Sequence, residues 1–306
     1  MSWLDKRVLV VTGKGGVGKT TVAAALALRA ARRGRRVVLA ETQGAQRVPG
    51  LFGAASRGYR LTRLEGSLYT ISLDSDSAIE DYVIQQIKVR ALYKMVFQNR
   101  VMAPFLRALP GLHDLVQLGK IWDLERQRRD RRFDWDLLVV DAPATGHGLS
   151  MLNAPQSMMD LTVAGPFHDN AKLIRDLFHD RTRTGLVLVA LPEEVPVNET
   201  LDLYSRLGAY REQVDLCVLN EVRPAPMHDL DAWDRARPHL AAAADEAMAE
   251  ALAFTDRAVH RARRLRAARA RLSDGLPCPL VELPFLFDRD LGADQLAALG
   301  DAVGAS

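Results

Sequence analysis

The sequence predicts an α/β protein with a doubly wound, mostly parallel sheet and an inserted helical subdomain. Two observations support this prediction. Nearly continuous apolar runs, typical of parallel strands covered on both faces, occur at 8–11, 37–40, 69–73, 137–140, 186–191 and 216–219. Helical patterns separate these runs, and the first pattern, 20–33, ends at Gly34. We therefore expect residues 1–306 to form a single domain that binds ligands at the carboxyl ends of its strands.

Two stretches, 77–132 and 149–180, interrupt this alternation and predict the helical subdomain. The first looks helical throughout, and Ser77 and Glu80 have the spacing of a capping box. The second is rich in methionine and leucine. Because methionine adapts to varied partners, these residues predict either a groove for an apolar client helix or the core of the subdomain itself. The sequence leaves that choice open.

The charge balance gives no support to a general polyanion-binding role, because the net charge is only +3. Arginine supplies 34 of the 41 basic residues, a bias of composition. A helix is predicted over 241–272, and it contains a basic run at 261–271. A solvated helix face explains this run, while contact with nucleic acid or acidic lipid is the alternative.

The two cysteines, Cys217 and Cys278, show no metal-binding or disulfide pattern, so we expect inert thiols in a reducing cytosol. No apolar run is long enough for an integral membrane segment. The first seven residues are charged and lead directly into a strand, unlike a signal peptide. These features predict a cytoplasmic protein.

A phosphate-binding loop is predicted between the first strand and the first helix. The run G-K-G-G-V-G-K-T satisfies the G-x-x-x-x-G-K-[ST] pattern, in which glycines let backbone N–H groups surround phosphate oxygens. Lys19 is expected to reach the β- and γ-phosphates of ATP, and the Thr20 hydroxyl is expected to ligate Mg²⁺. The expected nucleotide-binding residues in this loop are Gly13, Gly15, Gly16, Val17, Gly18, Lys19, Thr20 and Thr21.

Three further residues are expected near the phosphate site. Asp141 follows the strand 137–140, where a carboxylate is the usual partner of Mg²⁺ through water. Lys14 is a second lysine in the loop, which its own phosphates do not need because Lys19 already serves them. His147 lies nearby in the sequence, either as a general base or as part of a conformational switch.

These motifs resemble those of a known family. The loop G-K-G-G-V-G-K-T-T is similar to the deviant Walker A loop of MinD, ParA, the nitrogenase iron protein and ArsA. The run D-A-P-A-T-G-H-G-L, 141–149, resembles the ArsA switch D-T-A-P-T-G-H-T-L. The ArsA family holds arsenite-pump ATPases and the ATPases that guide tail-anchored membrane proteins. Within it, the chain looks closest to short, single-domain bacterial members.

The resemblance implies roles for several residues. Lys14 would cross a dimer interface to the nucleotide of the partner protomer, which implies an ATP-sandwich dimer, either a homodimer or a heterodimer with a paralogue. Asn220 and Pro284 match adenine-side positions of the family, and the segments 109–114 and 290–294 also resemble it.

Departures from the family pattern affect the expected chemistry. Where the family reads S-T-D-P-A, this chain reads E-T-Q-G-A, so Gln43 replaces the aspartate that aligns the attacking water. An amide can orient water but cannot accept a proton, so hydrolysis is expected to be slow. Glu41 could reach Mg²⁺ through water or act as the polarising carboxylate. The C-x-x-C zinc pair and a cysteine triad for arsenite are missing, which disfavours metalloid transport.

The leading functional hypothesis is an Mg-ATP-dependent dimeric switch that changes a client-binding or partner-binding helical surface. One alternative is a ParA-like or MinD-like positioning ATPase on DNA or membrane, although nucleic acid is a disfavoured partner. The other alternative is a scaffold subunit that binds ATP and barely hydrolyses it, because of Gln43.

Overall fold

The computed structural model describes residues 3–42, 46–73, 111–288 and 290–304. The described residues form an eight-stranded sheet and a separate two-stranded hairpin. The sheet strands are β1 (Val8–Gly13), β2 (Val37–Glu41), β3 (Thr62–Glu65), β4 (Leu68–Ser72), β7 (Leu137–Ala144), β8 (Thr184–Ala190), β9 (Val214–Val222) and β10 (Leu280–Pro284). The hairpin pairs β5 (Arg128–Arg129) with β6 (Arg132–Phe133).

The strand order is β10-β9-β8-β1-β7-β2-β4-β3. Every neighbouring pair is parallel except β3 and β4, which are antiparallel at one edge. This confirms the predicted doubly wound, mostly parallel α/β sheet. The chain crosses over in both directions from the central β1, so the carboxyl ends of β1, β2 and β7 meet at one edge of the sheet.

The helices cover both faces of the sheet. In chain order they are α1 (Lys19–Arg32), α2 (Arg47–Leu51), α3 (Leu112–Arg126), α4 (Thr145–Leu161), α5 (Pro166–His179), α6 (Glu194–Arg206), α7 (Leu230–Ala242), α8 (Glu246–Gly275) and α9 (Ala293–Val303). Short 3₁₀ turns lie at Trp3–Asp5 and Gly208–Gln213. No helix of the described ranges is long and apolar enough to cross a membrane.

Alternate residues of the central strand face two different cores. Val8 and Val10 pack into the core under α3, α4 and α5, whereas Leu9 and Val11 pack against α1 and α9. All four side chains are almost fully buried. A strand covered in this way must be apolar at every position, and this requirement explains why the sequence shows an unbroken apolar run there.

Several predicted boundaries are wrong. The first helical stretch does not extend to about residue 132, because α3 ends at Arg126 and the β5–β6 hairpin follows. The late helix does not run unbroken from 241, because α7 ends at Ala242 and Asp245 begins α8 by accepting a hydrogen bond from the Met248 amide, at 2.8 Å. Strand β7 continues past Asp141 to Ala144. The capping box at 77–80 lies outside the described residues.

Candidate nucleotide-binding site

The glycine-rich loop leaves the end of β1 in a conformation that requires glycine. Gly13, Gly16 and Gly18 have φ of +156°, +83° and +87°. A β-carbon on Gly13 would collide with the Val189 carbonyl of β8, and one on Gly18 would collide with the Asn220 amide. Since both close approaches involve neighbouring strands, the sheet itself holds the loop in the shape that surrounds phosphate groups.

Lys19 and Thr20 open α1 and lie against Asp141. The Lys19 ammonium donates to the Lys14 carbonyl at 3.0 Å, and the Thr20 hydroxyl donates to Asp141 Oδ2 at 2.6 Å. Burial lowers the pKa of Lys19, and the Asp141 charge opposes that shift. The lysine and the threonine that the motif assigns to phosphate and metal are therefore brought together with the predicted carboxylate.

Asp141 lies on β7, in register with Val11 of β1 on one side and Glu41 of β2 on the other. Burial raises the pKa of Asp141 to about 6, although the Thr20 hydroxyl and the Lys19 charge lower it. A buried carboxyl with a raised pKa gains from a nearby cation. The hydroxyl and carboxyl oxygens of Thr20 and Asp141 are also the hard donors that Mg²⁺ prefers, so the residues present fit that ion.

Glu41 lies beside Asp141 but is already engaged. Its Oε1 accepts from the backbone amides of Arg47 at 2.7 Å and Val48 at 3.1 Å, which fixes the start of α2. Its Oε2 is buried and has no hydrogen-bond partner among the described residues. Burial raises the pKa of Glu41, opposed by the two amides. One oxygen therefore anchors the start of α2, while the other has no partner in the described ranges. Gln43 lies outside the described residues.

Lys14 forms an ion pair within its own chain. Its ammonium lies 3.0 Å from Glu199 Oε1 of α6, and both side chains are about one-third exposed. The sequence did not predict this ion pair, because the two residues are remote in the chain. An exposed pair of this kind contributes little stability, so other interactions can break it readily.

The two residues expected near the base have different environments. Asn220 is buried at the carboxyl end of β9, and its Nδ2 donates to the Val17 carbonyl at 2.9 Å, which braces the phosphate loop. Pro284 is exposed at the end of β10. A cavity of about 320 Å³ is lined by Glu221 and Arg223, which follow Asn220 in the chain, and by Arg261 and Arg264 of α8. Arg223 stacks on Phe285 at 3.7 Å. The predicted adenine contacts remain predictions.

The switch segment joins the phosphate site to a helix without a loop. Strand β7 ends at Ala144 and α4 begins at Thr145. Gly148 in the first turn leaves no room for a β-carbon against Thr12 and Pro143. His147 is exposed on the same turn, near Asp114 of α3, and its charge lowers the pKa of Asp114 against the larger effect of burial.

Three connections around the site were not predicted from the sequence. Gln117 on α3 donates through Nε2 to the Thr42 and Leu73 carbonyls, both at 2.9 Å, and ties together the ends of β2 and β4. The Lys14–Glu199 pair and the Glu41 contact with α2 are the other two. Both cysteines are free thiols. Burial raises the pKa of Cys278 to about 11 and raises that of Cys217 further, so both favour the protonated form.

The fold and site define a P-loop nucleotide-binding protein: a mostly parallel sheet, a glycine loop that opens a helix, and a lysine near a hydrogen-bonded threonine and aspartate at the start of that helix. A sequence profile described as anion-transporting ATPase (ArsA) matches residues 6–165. The chain is 30% identical over 312 residues to ATPase BagA of Mycobacterium tuberculosis, covering 94% of this chain and 90% of that protein. The chain therefore belongs to the ArsA family and is an ATPase of that type.

More distant relatives carry other names. A putative arsenical pump-driving ATPase of Prosthecochloris vibrioformis is 25% identical, over 74% of this chain and 64% of the relative. ATPase ASNA1 homolog 1 of Paramecium tetraurelia is 21% identical, over 70% of this chain and 74% of the relative.

Proposed function

We propose that this chain is an Mg-ATP-dependent dimeric switch that uses ATP hydrolysis to change a client-binding helical surface. The observation that carries the proposal is the direct junction of β7 and α4. Asp141 contacts Thr20 in the phosphate site, and only three residues separate it from Thr145, where α4 begins. A change in how Asp141 is held would therefore be passed to α4 without an intervening flexible loop.

ATP would lie along the loop, with Lys19 on the β- and γ-phosphates and Thr20 and Asp141 holding Mg²⁺, the latter through water. Bound Mg²⁺ supplies charge neutralisation on the phosphates. The protein residues would supply position and charge, and Lys19 is already held in the loop by the Lys14 carbonyl. Gln43 would orient the attacking water, with the free oxygen of Glu41 as the polarising carboxylate. Turnover is expected to be slow, since an amide cannot accept the proton.

Dimerisation is supported by the position of Lys14. Its ammonium pairs with the partly exposed carboxylate of Glu199, and it has no other ion pair within the described ranges of the chain. We propose that it exchanges this carboxylate for the phosphates of the partner protomer when ATP is bound. A phosphate carries more charge and more acceptor oxygens than a single carboxylate, so the exchange is favourable. The partner is either a second copy or a paralogue.

The client surface would lie on α4 and α5. Leu161, at the end of α4, is 62% exposed, and Val163, in the turn that follows, is 98% exposed. Leu173 on α5 is 47% exposed. Large apolar side chains exposed on two adjoining helices and in the turn between them favour binding of an apolar segment, such as the helix of a tail-anchored or other membrane protein. Met151 and Met158, by contrast, are buried core residues.

Mg²⁺-dependent ATP turnover of the purified protein tests the enzymatic part of this proposal. We expect slow turnover by wild type, none by Lys19→Ala, and faster turnover by Gln43→Asp, which restores a carboxylate at the water-aligning position. Arg235→Ala, an exposed residue paired with Asp229 far along the chain, is the matched surface control. Absence of turnover in both wild type and Gln43→Asp would contradict the proposal.

A scaffold role is the second candidate, favoured by the presence of glutamine at position 43. In that case ATP would bind tightly, and wild-type turnover would be undetectable while Gln43→Asp hydrolyses ATP. This outcome would keep the nucleotide site and move the search to a catalytic partner.

A further inference from the structure

A groove of about 630 Å³ lies between α7 and α8, apart from the phosphate loop. Its lining includes Trp233 and Arg237 from α7, and Arg257, Arg261 and Arg264 from α8. Its volume is within the range of ligand-binding clefts. The proposed ATPase cycle makes no use of this groove, so its residues call for a separate explanation.

The arginines of α8 divide into two groups. The helix contains seven arginines between 257 and 271. Four of them are held by the fold: Arg263 by Asp234 at 2.5 Å, Arg266 by the His228 carbonyl at 2.7 Å, Arg269 by Glu282 at 2.8 Å, and Arg271 by Asn198 at 2.5 Å. The basic run is therefore largely a structural feature.

The remaining three arginines share one face of the helix. Arg257, Arg261 and Arg264 have no ion pair or hydrogen bond to the described part of the chain, and all three line the groove. Their spacing of four and three residues places them in one row about 10 Å long. An uncompensated row of three guanidinium groups on a concave surface is suited to an anionic ligand.

The acidic residues of the groove do not neutralise this row. Asp256 accepts from Trp233 at 2.8 Å and from Arg237 at 3.0 Å, and Asp234 is held by Arg263. Both carboxylates are thus already paired with other groups. The groove presents a net positive charge together with the partly exposed ring of Trp233.

An apolar residue lies beside the same row. Phe254, one turn before Arg257 on α8, is 63% exposed. A small phosphate ligand would make no use of this side chain. Duplex nucleic acid would need a broader basic surface than three arginines.

We propose that the groove between α7 and α8 binds an acidic amphipathic segment of a partner protein. Its carboxylates would pair with Arg257, Arg261 and Arg264, and an apolar side chain would pack on Phe254. This surface is formed by different helices from the apolar surface of α4 and α5. The inference therefore goes beyond the proposed client site, and it is tested without nucleotide because Arg261 and Arg264 also line the cavity that includes Glu221 and Arg223.

Fluorescence anisotropy of the full chain without nucleotide tests the proposal. The probe is a labelled helical peptide with glutamates on one face and leucines on the other. We compare wild type with Arg257→Gln/Arg261→Gln/Arg264→Gln. The matched control is Arg32→Gln/Arg206→Gln/Arg235→Gln, which removes the same charge from exposed arginines outside the groove.

We expect the groove variant to bind the peptide about tenfold more weakly, and the control to stay within about twofold of wild type, because three exposed pairs together contribute on this scale. Phe254→Ala should also weaken binding. Equal losses in both triple variants would overturn the proposal. So would equal binding of a peptide with serine in place of leucine, or displacement of the probe by pyrophosphate or duplex DNA at matched charge. If the melting temperature of the triple groove variant is lower than that of wild type, the single variants Arg257→Gln and Arg264→Gln are used in its place.

Discussion

Asp141 is the residue on which the site depends most. Its carboxylate accepts a hydrogen bond from the Thr20 hydroxyl and lies near the Lys19 charge, and its backbone is in register with Glu41 of β2. Its burial opposes ionisation, which raises its pKa to about 6. The ionised carboxylate therefore destabilises the folded protein without metal, and a bound cation would offset that cost. This combination is typical of functional sites, where stability is given up for chemistry.

We predict opposite effects of Asp141→Asn on stability and activity. The pKa of Asp141 is higher in the folded protein than in the unfolded chain. In metal-free buffer, the contribution of the protonated Asp141 to folding stability is therefore complete below about pH 4 and is lost as the pH rises through 6. At pH 8 in EDTA the variant should therefore be as stable as wild type or more stable, by about 1–3 kcal/mol. With Mg²⁺, turnover should fall about 10- to 100-fold. Thermal melts and turnover assays measure both effects.

An Asp141→Asn variant that melts below wild type at pH 8 without metal would contradict this account of the carboxyl. Undiminished turnover would show that Asp141 has no part in holding Mg²⁺. Asp160→Asn, at an exposed position on α4, serves as the control for a simple loss of charge.

Two glycines that flank α1 allow a matched test of the loop. Gly18 and Gly34 have nearly equal positive φ, +87° and +86°, but only Gly18 faces another side chain, Asn220. Alanine at either position incurs backbone strain of about 1–2 kcal/mol. Gly18→Ala should in addition abolish the ATP-induced rise in melting temperature, while Gly34→Ala should retain it. An equal ATP response in the two variants would show that the close approach to Asn220 is unimportant.

At the scale of elements, the strands were predictable where burial on both faces makes them apolar throughout. This holds for β1, β2, β4, β7, β8 and β9, whose predicted and observed bounds agree within a few residues. Edge strand β3 was not predicted, because it is partly exposed and short. The break between α7 and α8 was also not predicted. The alanines around it favour helix, and the main local signal of the break is Asp245, the N-cap residue of α8.

The candidate site likewise contains residues that the sequence predicts and contacts that it does not. Gly13, Lys19, Thr20 and Asp141 could be identified because a local motif and strand ends specify them. Contacts such as Gln117 with the ends of β2 and β4 could not, since they depend on how remote elements pack. No local pattern of the sequence encodes that packing.

The apolar surface on α4 and α5 belongs to this scale as well. We predict that Leu161→Ser/Val163→Ser leaves the free energy of unfolding within about 0.5 kcal/mol of wild type, because exposed positions contribute little to the core. Binding of a labelled apolar helical peptide in the presence of Mg-ATP should be lost. The control, Leu240→Ser/Met248→Ser, changes two exposed apolar residues elsewhere. Equal peptide binding by both double variants would contradict a client site on α4 and α5.

At the scale of the whole molecule, three separate surfaces surround one sheet. The phosphate site lies at the carboxyl ends of the central strands, the proposed client surface at the end of α4, and the basic groove between α7 and α8. The Lys14–Glu199 pair restrains the residue proposed to join two protomers. We propose that ATP breaks this pair and brings the protomers together.

The most direct test is the mass in solution, by light scattering, of wild type, Lys14→Ala and Lys19→Ala with and without Mg-ATP. We predict that wild type is monomeric alone and dimeric with Mg-ATP. Lys14→Ala should bind nucleotide and stay monomeric, and Lys19→Ala should do neither. If saturating Mg-ATP leaves wild type monomeric, or if Lys14→Ala dimerises as wild type does, the dimeric switch is contradicted.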